Sequence, residues 1–243
     1  MMSAQKIILN YAVSAGGPFR KQDLLSHLQG TSFSLPYINL TLNRMVNASS
    51  LTRIARGLYQ LADTKNKKEF CPKFGQVSME IASFLKENLP YTRYCLYEGE
   101  WINPFMHHVA GNRLHYLEVQ REATDSVFER LMAFGHTVYL HPDKEFMYRY
   151  VDIHNDSAII VKPLISESPL LSIDGIPCPA LEKMLVDIFK DPDFSYLHGA
   201  EYLNVLRNIR HVYRLNECRL LRYASRRSLK EEITNALNET NYE

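Results

Sequence analysis

The nine residues RIARGLYQL, Arg53 to Leu61, leave the backbone few choices: a short strand, a glycine where the chain turns tightly, and a second short strand. The residues before it are as closely punctuated. Residues 4 to 14 place Ile7, Ile8, Tyr11 and Ala12 at helical spacing and stop at Gly16, Gly17 and Pro18. Phe19 to Leu28 predicts a second short helix, with Leu24, Leu25 and Leu28 on one side and Gly30 at its end. Ser32 to Ser34 offer N-caps for a third helix, whose first turn suits Pro36 and which runs to Val46. Three short helices and then a two-stranded hairpin is the order of a winged helix-turn-helix.

Turning the third helix through about 100° per residue puts Leu35, Ile38, Leu42, Met45 and Val46 in one sector, which is expected to face a core. Tyr37, Leu40 and Arg44 lie nearly opposite, with Thr41 and Asn43 on the flanks. In a helix-turn-helix that opposite face enters the major groove of double-stranded DNA. Arg44 suits a guanine edge or a phosphate, Leu40 and Thr41 a thymine methyl, and Tyr37 the backbone. In the hairpin, Gly57 permits the turn, Ile54, Tyr59 and Leu61 are expected to anchor it, and Arg53 and Arg56 are left for phosphates. The same face also suits docking of another protein.

Charge supports a polyanion at this end. The whole chain is nearly neutral, yet residues 1–62 hold Lys6, Arg20, Lys21, Arg44, Arg53 and Arg56 against Asp23 alone. The segment 63–75, DTKNKKEFCPKFG, is rich in lysine and broken by Pro72 and Gly75, as an interdomain linker is. Four cysteines, at 71, 95, 178 and 218, lie far apart without a C-x-x-C pair, which fits neither a zinc site nor a disulfide scaffold. No run of eighteen apolar residues occurs, so no membrane association is expected and a cytoplasmic protein is.

From Gln76 to Glu243 the patterns alternate. Val77 to Leu85 reads as a helix, RYCLYEGEW and RLHYLEVQ as strands, TDSVFERLMAFG as a helix, TVYLHP as a strand, KEFMYRYVD as a short helix and SAIIVKPL as a strand. This order predicts an α/β layer around a mixed sheet, so the fold class is α/β with a helical C-terminal segment. That segment comprises ALEKMLVDIFKD, GAEYLNVLRNIRHVYRL and a last helix opening at Ser228 with the capping-box pattern S-x-x-E. In ALEKMLVDIFKD, Leu181, Met184, Leu185 and Ile188 form a packing stripe flanked by Glu182 and Lys183.

Catalytic patterns are sparse. Glu98-Gly99-Glu100 has the spacing of a nucleotidyltransferase metal pair but no Gly-Ser turn before it. Glu118-Val119-Gln120 on one strand, with Glu98 and Glu100 on the strand before, resembles the acid and E-x-Q elements of a PD-(D/E)-x-K nuclease or an inactive relative of that fold. A lysine in the third slot is missing. His107, His108 and His115 lack helical metal spacing, and adjacent strand residues point to opposite faces, so they read as structural or surface residues. Phosphate-cradling and nucleophile-elbow motifs are absent from the sequence. No catalytic activity, metal or cofactor is expected.

The arginine-glycine-aromatic wing, Arg56, Gly57, Leu58 and Tyr59, and the later pattern P-x-x-E-K-x-L-x-D, at Pro179, Glu182, Lys183, Leu185 and Asp187, together resemble the AbiEi family of type IV antitoxins. More narrowly, they resemble its Bacteroidetes-type branch. The resemblance implies an abortive-infection autoregulator that binds operator repeats upstream of its own operon. It also implies a functional partner, a nucleotidyltransferase-type toxin, which an antitoxin of this type counteracts with or without touching it. An abortive-infection effector without operator binding is the remaining alternative.

Overall fold

The computed structural model describes residues 3–31, 33–48, 50–62 and 67–240, and for Asn47 the backbone only. Ser32, one of the expected caps, and residues 63–66 of the expected linker lie outside the described residues. The chain forms two units, Met1–Lys68 with Val212–Arg219, and Glu69–His211 with Leu220–Glu243.

In the first unit, α1 (Ala4–Ala15) starts at Ser3, whose hydroxyl accepts from Lys6 N, and ends at Gly16 in the left-handed conformation (φ 65°). A two-residue strand, β1 (Phe19–Arg20), precedes α2 (Lys21–His27). The helix α3 (Leu35–Asn47) is capped by the Ser34 hydroxyl, which accepts from Tyr37 N at 3.4 Å. The strands β2 (Leu51–Ala55) and β3 (Leu58–Leu61) turn at Gly57, whose φ of 76° suits a residue without Cβ. All three strands pair antiparallel in the order β1-β3-β2. Ile8, Leu24, Ile38, Leu42, Leu51 and Tyr59 belong to one buried cluster beneath them.

The expectations for Phe19, Leu35 and Ile54 are corrected. Phe19 lies in a strand, paired with Tyr59, rather than in a helix. Leu35 is half exposed, because it is the first residue of α3 and stands a turn before Ile38, the first buried one. Ile54 is also half exposed: the register shifts between Arg53 and Ala55, so Ile54 is the extra residue of a bulge and anchors nothing.

The second unit opens with α4 (Gln76–Asn88) and then β4 (Tyr94–Glu98). A 3-10 segment, Gly99–Phe105, leads to β5 (His115–Val119), α5 (Thr124–Ala133), β6 (Thr137–Leu140), α6 (Lys144–Tyr150) and β7 (Ala158–Pro163). These strands form a mixed sheet in the order β4-β5-β7-β6, antiparallel between β4 and β5 and parallel elsewhere. Pleating separates its two faces. Leu96, Leu117, Val119, Ile159 and Val161 share an apolar core with Ile81 and Leu85 of α4 and Val127 and Leu131 of α5. The alternate residues, Cys95, Tyr97, Tyr116, Glu118 and Lys162, occupy the other face, where Cys95 is opposite Glu118 and Glu118 opposite Lys162.

A hairpin, β8 (Leu170–Ile173) and β9 (Ile176–Pro179), turns at Asp174-Gly175 and leads into α7 (Leu181–Lys190), then α8 (Ala200–Val212), α9 (Glu217–Arg226) and α10 (Lys230–Glu239). Every residue of α7 from Leu181 to Ile188 is buried, Glu182 and Lys183 included, so this helix has no solvated flank. The expected capping box at Ser228 does not form. Ser228 has φ 59° and its N–H bonds Ser225 O, while Leu229 N bonds Ala224 O at 2.8 Å, so Ser228 closes α9 instead of opening α10. No helix among the described residues is long and apolar enough to cross a membrane.

Candidate nucleic-acid interface

The outward side of α3 carries four of the five helix residues expected to meet DNA. Tyr37 is 43% exposed and Leu40 46%. Asn43 and Arg44 are exposed too. Burial of Ile38, Leu42, Met45 and Val46 fixes which way this side points, each stabilising the helix against its core by about 1.5–3 kcal/mol. The phenol of Tyr37 stacks on Phe33, ring centroids 5.7 Å apart. Thr41 is the exception: it is 7% exposed, and its hydroxyl donates to Tyr37 O at 2.8 Å. Its helical angle lies only about 40° from that of the buried Met45, so it belongs to the core side.

Arg53 and Arg56 are exposed on the hairpin, as expected. Two cations beside them went unassigned in the sequence. Arg20 pairs with Leu58 across β1 and β3 and is exposed, and Lys21 N donates to Gly57 O at 2.8 Å. The only local signal was their contribution to the basic count, because the β1–β3 pairing that brings them to the hairpin is a tertiary contact. Among the described residues, Arg20, Lys21, Arg44, Arg53 and Arg56 form no ion pair with a carboxylate.

The carboxylates of the expected nuclease-like face separate. Glu98 ends β4 and its Oε1 accepts from Gly75 N at 2.6 Å, whereas Glu100 lies in the 3-10 segment and pairs with Arg113 at 3.5 Å. Gln120 lies beyond the end of β5 and accepts from Arg93 N. Glu118 is buried on β5 and belongs to a network that α7 closes off. Lys183, 1% exposed, donates to Glu118 Oε1 at 2.6 Å and to Asp187 Oδ2. The Tyr223 hydroxyl donates to Asp187 Oδ1 at 3.0 Å, Arg227 pairs with Asp187 and Asp191, and Lys162 pairs with Asp191 and Asp193.

Burial pushes the Asp187 carboxyl up to about 6, an effect opposed by Lys183 and reinforced by Glu118 and Asp191. Burial opposes the charge on Lys183, but Asp187 and Glu118 outweigh it and hold the ammonium well above its ordinary range. Burial lowers Lys162, against Asp191 and Glu118. With its charges paired beneath helices, this network fixes how α7 and α9 sit on the polar side of the sheet.

The histidines do not converge on a metal. His115 Nε2 faces Asp156 O at 2.8 Å, so Nε2 donates and Nδ1 accepts from the Ser78 hydroxyl at 2.9 Å. The rings of His107 and His108 stand edge to face, and His107 N donates to Glu201. No cluster among the described residues has the ligands for a metal ion.

Fold and surface define a two-unit α/β protein whose smaller helix–hairpin unit exposes a set of cations. The chain belongs to DUF6577, a family of unknown function, whose model matches residues 37–243. No match to a curated protein is found.

Proposed function

We propose that this chain is a DNA-binding transcriptional regulator whose first unit acts as a winged helix-turn-helix. The observation that supports this reading is the exposed stripe Tyr37, Leu40 and Arg44 on α3, opposite the helix's buried side, in the same unit as the exposed Arg20, Arg53 and Arg56. A helix about 10–12 Å across matches a major groove about 12 Å wide. Arg44 is the residue suited to a bidentate pair with a guanine edge, Leu40 to a thymine methyl, and Asn43 to an adenine. The hairpin arginines and Arg20 bind phosphates without reading sequence. Thr41 makes no DNA contact.

The regulator is proposed to act as an antitoxin of the type IV, AbiEi-like kind, in the cytoplasm, repressing its own operon and counteracting a nucleotidyltransferase-type toxin. What supports this further step is the resemblance carried by Arg56-Gly57-Leu58-Tyr59 and by the α7 motif. The α7 motif itself has a structural account: Glu182, Lys183, Leu185 and Asp187 are all buried. The test is a gel shift with the DNA upstream of the chain's own reading frame, paired with co-expression alongside a nucleotidyltransferase-type neighbour. Retarded DNA and restored growth are expected; unretarded DNA at low salt overturns the regulator, and retarded DNA without rescue overturns the antitoxin role alone.

A further inference from the structure

The second unit carries a surface that neither the DNA reading nor the buried network uses. α4 buries Ile81, Ala82, Phe84 and Leu85 and turns its other side outward. Between that side and the end of α5 runs an open groove of about 340 Å³. Its floor is Met79, 46% exposed, and Phe134, 69% exposed, whose ring stands edge-on to Phe84 at 4.9 Å. A large aromatic left in water beside an exposed methionine marks an interaction surface, and the unbranched thioether adapts to what covers it.

The wall of the groove is acidic. Glu80 and Glu87 line it, and about 100° per residue places them some 20° apart around α4 and two turns, roughly 10 Å, along it. Glu80 Oε1 accepts from the neutral Gln76 amide at 2.9 Å, and neither acid forms an ion pair among the described residues. We infer that the groove docks a cationic amphipathic helix of a partner protein. Lysines or arginines seven residues apart meet Glu80 and Glu87, and an apolar side chain between them covers Met79 and Phe134. A nucleic acid is repelled by the same wall. A second copy packed face to face brings each acidic wall against its own equivalent.

The test uses the full chain with methyl-labelled methionine and two alanine-based helical peptides. One has lysines seven residues apart with leucines between, the other glutamates in place of the lysines. The lysine peptide is expected to shift the Met79 methyl resonance saturably, and the glutamate peptide is not. E80K/E87K should weaken the lysine peptide several-fold, up to about tenfold, as expected for two exposed ion pairs. Phe134→Ser, at an exposed site, should abolish the shift while leaving the other methionine resonances in place. Equal response to both peptides, no response at Met79, or a Met79 shift that instead follows protein concentration through self-association overturns the inference.

Discussion

Replacing Lys183 by methionine removes the cation at the centre of the buried network while keeping the length and apolar character of the side chain. Two carboxylates lose it at once: Glu118 Oε1, at 2.6 Å, and Asp187 Oδ2. Glu118 Oε2 already has no hydrogen-bond partner among the described residues, so the variant leaves that carboxylate wholly unpaired. Removing one member of a buried pair costs about 3–5 kcal/mol, most of it from the abandoned charge. Trp101, the single tryptophan, is buried in the same unit, so its fluorescence in urea follows the relevant unfolding. The unfolding free energy should fall by that amount, read as a lower midpoint with an unchanged slope.

The deficit should also depend on pH in a definite direction. Without Lys183, the folded-state pKa of Asp187, already raised by burial, rises further above its unfolded value. The variant therefore regains stability as pH falls through that raised value, where protonation discharges the buried Asp187 carboxyl. Adding Glu118→Leu and Asp187→Leu should recover much of the loss, because an apolar set replaces a broken ionic one. A single variant within 1 kcal/mol of the wild type, with a deficit that ignores pH, would refute the reasoning.

Arg53→Ala and Arg56→Ala should weaken binding to all duplexes alike and reduce the salt slope by about one each, measured by fluorescence anisotropy. Thr41→Val should leave DNA affinity unchanged in the same assay, since Thr41 is buried and its hydroxyl is spent on Tyr37 O. The Asp187 carboxyl, raised from 3.8 to about 6, gives a stability contribution that is whole below the unfolded value and lost as pH rises through the folded one. Asp187→Asn should flatten that part of the urea-midpoint profile, whatever it does to the midpoint itself. Gly57→Ala should lower the stability of the first unit by about 1–2 kcal/mol, seen by thermal circular dichroism, because its φ of 76° disfavours a Cβ.

What the sequence made legible was what local chemistry decides. Ser34 and Gly16 mark helix ends, Gly57 marks the hairpin, and periodicity placed Ile38, Leu42, Met45 and Val46 inward. The misplacements follow from contacts between distant segments. Phe19 is a strand residue only because Tyr59 lies beside it, and Lys183 is buried only because Glu118 on β5 and Asp187 pair with its ammonium. Ser228 fitted a capping box in sequence, but the preceding helix uses that residue first for its own termination. The hairpin of β8 and β9, by contrast, turns on a strong local signal, Asp174-Gly175 between apolar runs.

The proposal that the first unit binds DNA meets its most direct test in the salt dependence of the full chain on a duplex from upstream of its own reading frame. With Arg20, Arg53 and Arg56 each displacing a counterion, the logarithm of affinity should fall against the logarithm of salt with a slope of roughly −3. Arg44→Ala should add a loss of about 1–3 kcal/mol on that duplex and a smaller one on unrelated DNA. Absence of binding at low salt, or binding that neither salt nor Arg44→Ala changes, contradicts the assignment of α3 and the hairpin as a DNA-binding surface.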